Sequence, residues 1–435
     1  MGTSLRSGTR CAAASGRTRR STVVALSFFA CFIAYSDRVN ISVAAVAMKE
    51  QFGWTQTQKG VVLSSFFIGY LLFMLASGWL ANRYGGKRVL GLAVLAWSVF
   101  TLLTPPAAAI SVAALVVVRI AMGIGEAAMF PASYELFGRW VPLTERTRAV
   151  GKLMSGIPAG TVIGLMATGW IVKHFDWTLA FYSFGVVGLA WVAIWFRQVG
   201  NDPATDARTS PEERALLLRE ATPAAAPEVA ESPPWRLLLL RVPVWAMVIS
   251  HFATTWTLYV LLSWLPSYFR DVQGLTIANA GLFSAAPWLA MFTVTNIAAS
   301  VADAMIRRGI SITTARKVMQ CTALVGSAGF LLATRDVQSP MVALALLCGA
   351  TGALGCAWSG YAPNSLDMAP RYASVLFGFS NTFATIPGIV GVAITGWLVD
   401  VTGTYNSAFV LTAAVSGVGA LVYALFFNAR PLLEP

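Results

Sequence analysis

Four charged residues stand inside otherwise apolar stretches of this sequence: the adjacent Asp37 and Arg38, and the pair Arg119 and Glu126. A charge at mid-bilayer costs about 2.5–3.5 kcal/mol on insertion scales, so such residues face cavities and mark ion or substrate paths. Arginine offers a fixed positive charge with forked donors that suit a carboxylate or a phosphate. A carboxyl group that exchanges a proton supplies the coupling chemistry. Arg119 and Glu126 are two helical turns apart on one face, roughly 10 Å along the axis at 1.5 Å per residue. Glu126 lies among Gly123, Gly125, Ala127 and Ala128, with little polarity beside it, and reads as the better proton carrier. Asp37 is expected to be held ionised by the adjoining Arg38. The competing reading pairs all four charges internally, only to lock two helices together. Buried pairs are a weak source of stability, which argues against it.

The elements that position these residues are membrane spans. The chain has 435 residues, 57% hydrophobic and 11% charged, with a mean hydropathy of +0.66. A soluble domain carries about 25% charged residues, so this composition cannot cover a globule in water. A span needs about 20 apolar residues. Twelve stretches qualify: 22–46, 60–81, 89–110, 112–137, 149–171, 177–196, 244–269, 279–302, 317–334, 340–361, 374–399 and 406–427. Lys and Arg crowd the tails and the even-numbered loops, whereas the odd-numbered loops hold only Lys49, Lys59, Lys173, Arg270 and Arg335. The asymmetry predicts that both termini are cytoplasmic. The first span then runs outward and the fourth inward, which places Arg38 and Arg119 at a similar depth, about 12 Å from the outer end of each span. Tyr70 falls near the same level, and Tyr35 lies two positions from Asp37.

The net charge of +12 forms no basic stripe, so nucleic acid is not an expected partner. The five cysteines lack CxxC spacing and mostly sit in apolar runs, as small fillers rather than a disulfide or metal framework. No nucleophile–base pair, metal cluster or phosphate loop is visible, and neither an enzyme nor a cofactor is expected. Residues 1–21 contain five arginines and no acid. They read as a basic tail, with a short transit peptide as the alternative.

Residues 197–243 form one long polar linker, with PEERALLLRE as a short surface helix, and divide the spans into halves at 22–196 and 244–427, followed by a 428–435 tail. The halves echo each other: Ala81-Asn82 after the second span parallels Ala302-Asp303 after the eighth. Ile157-Pro158 parallels Ile386-Pro387 at a nearly equal offset. The expected fold is all-α, two six-helix halves with the substrate at mid-membrane between them, as in carriers built from repeated halves. The segment GWLANRYGGKR is similar to the loop motif of the major facilitator superfamily. Gly78, Asn82, Arg83, Gly85, Lys87 and Arg88 belong to it, and Asp303 keeps in the second half the acid that Asn82 replaces in the first. Gly156, Gly160 and Gly164, and Gly388, Gly391 and Gly396, let helix backbones approach closely, as static packing or as surfaces that slide when the halves rock. The second half offers only polar and aromatic groups at depth: His251, Thr254, Trp256, Ser359, Asn381 and Thr382.

Four stretches, YSDRVNISVA (35–44), RIAMGIGEAAMFPA (119–132), WVPLTERTRA (140–149) and NSLDMAPRYASVLFGFSNTFATIPGIVG (364–391), together resemble the anion:cation symporter family. The likeness covers residues 22–428. It implies that Arg38 and Arg119 contact an anionic substrate, that Asp37 and Glu126 take up protons, and that Tyr35, Tyr70 and Asn381 line the cavity, to which Ser359 is added from the second half. Thr254 stands where vesicular glutamate carriers have arginine, against a glutamate function. NTFATIPGIVG and DVTGTY look most like the phosphate-transporting branch, from which Ser365 departs at a common histidine. The expectation is a monomeric, proton-coupled symporter of a small organic anion, such as a sugar acid. Inorganic phosphate transport, with proton or sodium coupling, is the alternative. A membrane sensor that binds an anion without moving it is the alternative of another class. The expected site is the plasma or inner membrane, with an organelle membrane also open.

Overall fold

The computed structural model describes residues 18–220, 239–369 and 372–431. Most of the expected 1–21 tail and the middle of the 197–243 linker lie outside the described residues.

Helices α1 (Arg19–Phe52), α2 (Gln56–Tyr84) and α3 (Gly86–Ile110) supply the first three spans. The fourth is α4 (Val112–Glu126) continued by α5 (Met129–Trp140), and α6 (Arg146–His174) and α7 (Trp177–Gln198) complete the first half. The short α8 (Pro211–Glu220) is the surface helix expected within the linker. In the second half, α9 (Val242–Asp271), α10 (Ile277–Arg307) and α11 (Ile312–Ala333) are continuous. The tenth span is broken into α12 (Pro340–Gly355), α13 (Ala357–Gly360) and α14 (Asn364–Met368), and α15 (Ala373–Thr402) and α16 (Asn406–Phe426) end the bundle.

Eleven of the twelve spans are long and apolar enough to cross a membrane. The exception is α11, and its neighbours explain why. Gln320 accepts from the Tyr361 backbone N–H at 3.2 Å and donates to Thr254 Oγ1 at 2.9 Å. Arg316 donates to the Ser359 carbonyl at 3.1 Å and pairs with Asp367 at 2.8 Å. The broken tenth span frees backbone groups that must find partners inside the protein, and α11 spends its polar residues on them.

The second span starts earlier than its apolar run. Thr55 and Gln58 form a reciprocal capping box at its head, and the helix therefore takes in Lys59, which the sequence places in a loop. A distant carboxylate caps α1: Glu213 of α8 accepts from the backbone N–H groups of Arg19 and Arg20 at 3.1 and 3.0 Å. Asp206 beside it is pushed up by burial, but hydrogen bonds from Arg208 outweigh this and hold its carboxyl below the usual range. Asp206 lies 3.5 Å from the Arg19 guanidinium, and that ion pair is therefore complete at neutral pH and lost only as pH falls through the lowered value.

The two small-residue stripes do different jobs. A β-carbon at Gly160 would lie 2.3 Å from the Phe32 carbonyl oxygen, and Gly156 and Gly164 press equally on α1. That stripe packs within its own half and is not a surface between halves. Gly388 and Gly396, by contrast, abut Phe67 and Gln56 of α2 across the divide.

Polar contacts between the halves gather at the face opposite the termini. Asp400 at the end of α15 accepts from the Gln56 and Thr57 backbone N–H groups at 2.9 and 2.6 Å. Gln56 Nε2 donates to Asp271 at 3.0 Å, and Arg270 meets Glu50 at 3.2 Å. Toward the terminal face, Asn82, Arg83, Arg88 and Asp303 are exposed. Among the described residues, no ion pair joins them to the other half. This state is closed opposite the termini.

Candidate functional site

Arg38 projects from the middle of α1 toward α4. Its Nη2 and Nε donate to the same Glu126 oxygen at 2.8 and 3.3 Å. Both side chains are almost fully buried, and Glu126 Oε1 has no partner among the described residues. The guanidinium lies 4.6 Å from the Tyr35 ring centre, 4.8 Å from Phe66 and 5.2 Å from Tyr70. Such cation–π contacts steady a desolvated cation without neutralising it.

Arg119 stands one layer away on α4, with its guanidinium 5.3 Å from the same Phe66 ring. The matched depth expected for the two arginines thus appears as two guanidinium groups converging on one phenylalanine. Arg119 is 1% exposed, so its partners decide its role. Its Nη1 points at the Met122 sulfur at 3.2 Å, and its Nε has no partner among the described residues. No carboxylate lies in contact with it among the described residues. A buried cation held by a thioether and an aromatic face, with no carboxylate in contact among the described residues, is a poor stabiliser of the fold and a good receptor for an anion.

The expected partners of the two acids are overturned. Glu126, expected to lack polar company, is the acid that pairs with Arg38. Asp37, expected to be held by Arg38, faces α3 instead, where Thr101 Oγ1 approaches its Oδ2 at 3.4 Å and Oδ1 has no partner among the described residues. Consecutive helical residues diverge by about 100°, so sequence adjacency sends the two side chains to different neighbours. The pairing of all four charges as a closed set is likewise not realised: Arg119 and Asp37 both keep unsatisfied atoms.

Glu126 also ends α4. The helix is distorted at Ala127 and Ala128, and Ser77 of α2 donates to the Ala127 carbonyl at 3.1 Å. Such a local break next to a polar side chain is characteristic of functional positions.

The remaining expected residues fall in three places. Tyr35 and Tyr70 flank Arg38, as above. Asn381 reaches across from α15 to the Met74 sulfur at 3.1 Å, one turn beyond Tyr70. Ser359 lies with Arg316 in the second half, and among the described residues no contact brings it to Arg38 or Arg119. His251, expected among the polar groups at depth, is 2% exposed, stacks on Tyr361 at 4.1 Å and contacts Ser380 Oγ at 2.9 Å. Thr254 is bound to Gln320, and Thr382 to the Gly378 carbonyl at 3.0 Å. In the loop motif, Gly85 has φ +83°, and a β-carbon at Gly86 would lie 2.2 Å from the Ala132 carbonyl. Glu135 accepts from the Gly86 N–H at 2.5 Å and anchors the turn, a role the motif alone did not reveal. Phe66 and Thr101 were also missed, because an aromatic and a hydroxyl in apolar spans carry no signal of their own.

Among the described residues, no group of three or more His, Cys, Asp or Glu side chains could hold a metal ion.

The model of the Major Facilitator Superfamily matches residues 27–391. The chain belongs to this superfamily. Within it, the relatives identify the anion:cation symporter family. The chain is 37% identical over 416 residues to "Sodium-dependent phosphate transport protein 1, chloroplastic" of Arabidopsis thaliana, covering 96% of this chain and 80% of the relative. It is 38% identical to "Probable anion transporter 4, chloroplastic" of Oryza sativa subsp. japonica, covering 96% and 70%. It is 34% identical to sialin of Ovis aries, covering 94% and 89%. Solved structures agree on the fold: a bacterial homologue of the human lysosomal transporter Spinster, inward-facing and occupied, aligns with TM-score 0.77 at 17% identity over 97% of this chain and 100% of that one. A D-xylose–proton symporter aligns with TM-score 0.72 at 15% identity, over 95% and 99%. This family member is thus a multi-pass integral membrane protein with two six-helix halves.

Proposed function

We propose that this family member is a proton-coupled symporter of a small organic anion, a sugar acid or similar carboxylate, working by alternating access. The observation that carries the reading is Arg119: a buried guanidinium with no oxygen partner among the described residues, sharing the Phe66 ring with the forked donors of Arg38. An anion placed there satisfies both cations. Tyr35 and Tyr70 shape the first-half wall, and Asn381 supplies a polar group from the second half. The Gly78–Arg88 loop (Gly78, Asn82, Arg83, Gly85, Lys87 and Arg88) and Asp303 belong to the gating scaffold.

Glu126 occupies Arg38 in the state described, so anion and carboxylate compete for one fork. A proton on Glu126 removes its charge and releases Arg38 to the substrate, so that proton and anion are taken up together. Asp37 is the second coupling acid, separated from Arg38 by its place against α3. Both termini are assigned to the cytoplasmic side on the distribution of Lys and Arg. Inorganic phosphate, with proton or sodium coupling, is the second reading, favoured by the name of the 37% identical Arabidopsis relative.

The test is thermal-shift screening of the purified protein against phosphate, sugar acids, sialic acid and dicarboxylates, followed by proteoliposome uptake. Glu126→Gln is expected to bind the anion and exchange it in counterflow, but not to accumulate it under an imposed pH gradient. Normal accumulation by this variant removes Glu126 as the coupling residue. Binding without counterflow in the wild type would make the protein an anion sensor.

A further inference from the structure

Lys59 is fully buried at the seam between the halves, yet no carboxylate pairs with it among the described residues. Its Nζ donates to Ser267 Oγ of α9 at 2.8 Å and lies 4.8 Å from the Trp264 ring centre. An ammonium closed in against a hydroxyl and an indole is an expensive way to seal a seam, since burying an ion costs several kcal/mol. An apolar side chain would hold the closed state better. The charge is therefore explained by the state in which the seam is open.

Its position says what the open state offers. One turn further along α2 is Leu63, and one turn back along α9 from Ser267 is Ser263. These two line a small cavity together with Arg38 and Arg119. Lys59 and Ser267 thus sit one helical turn, about 6 Å along α2 and α9, from residues that line this cavity, on the side of the closed gate. Beyond them is Gln56, whose Oε1 has no partner among the described residues and whose amide nitrogen donates to Asp271. The gate acids are occupied elsewhere: Asp400 by the head of α2, and Asp271 by Gln56 and Tyr405.

We propose that Lys59, with Gln56 beside it, is an outer recognition site for the anion, reached from the face opposite the termini before the substrate passes to Arg38 and Arg119. When the halves part at this end, Ser267 leaves with the second half and the Lys59 ammonium faces the vestibule with its donors free. A lysine suits a transit site: it is a point charge on a flexible stem, without the fixed fork that holds an anion in one orientation. The arginines below supply that fork. The inference rests on the anion-transport reading.

The experiment compares wild type, Lys59→Met and Lys59→Arg in right-side-out and inverted vesicles. The probe is whichever of radiolabelled inorganic phosphate, gluconate or sialic acid the wild type moves. Lys59→Met is expected to raise KM for entry from the face opposite the termini about tenfold, the loss of one charge-assisted hydrogen bond, and to leave KM from the terminal face unchanged. Lys59→Arg should restore most of the lost affinity, and the melting temperature of Lys59→Met should be no lower than wild type. An unchanged KM, or equal changes from both faces, overturns the site while transport stands. A wild type that moves none of the probes overturns the transport reading itself.

Discussion

Asp37 and Arg38 are neighbours in sequence and strangers in space. The first turns to Thr101 of α3, the second to Glu126 of α4. That these residues lie buried at mid-span was legible, because charges in apolar runs announce themselves. Which acid meets which base was not, because pairing depends on the rotation of three helices about their axes. The two arginines differ in the same way: among the described residues Arg38 has a carboxylate, and Arg119 has only Met122 and the face of Phe66. Arg38→Lys and Arg119→Lys keep the charge and lose the fork, so each should weaken anion binding by about tenfold or more, the worth of one charge-assisted hydrogen bond. Arg119→Lys should be the more damaging, since its donors are the uncommitted ones. Titration of the purified variants checks this, and a variant with unchanged affinity is scaffold.

At the scale of the element, the head of α2 shows how one helix end becomes a gate. A helix leaves its first N–H groups without intrahelical partners. Here Thr55 serves Gln58, and the N–H groups of Gln56 and Thr57 are served by Asp400 from the opposite half. A carboxylate at a helix N-terminus also meets the favourable end of the dipole. The capping box was present in the sequence as Thr55 to Gln58, and it would have drawn Lys59 into the second span. The Asp400 partner was not legible, because it comes from a segment more than 300 positions away. Asp400→Asn keeps the shape and removes the charge, so the closed state should lose about 1–2 kcal/mol, near the upper range for a charge at a helix terminus. The measurement is labelling of a cysteine at Ser267 with an impermeant reagent from the face opposite the termini. It should react several-fold faster in the Asp400→Asn background, and an equal rate would show that this contact does not hold the gate.

For the whole molecule, the assignment of the termini to the cytoplasm rests on the scarcity of Lys and Arg in the loops of the opposite face. A cysteine at Lys173, exposed at the end of α6, should be labelled by impermeant reagent in intact cells, whereas one at Arg214 of α8 should not. The reverse pattern would invert the protein in its membrane. By itself the sequence determined the number of spans, the division into halves, the loop motif, the family and the buried charges. Each of these is written locally, in hydropathy, in charge along the chain and in short motifs, and a bilayer leaves few other folds for such a pattern. Only the tertiary structure decided that Glu126 and not Asp37 holds Arg38, that α11 is polar because it serves the broken tenth span, and that the glycines of α6 pack against α1 rather than across the divide. Those outcomes depend on which helix faces meet. Facing is set by close packing over the whole bundle, which no single stretch of sequence contains.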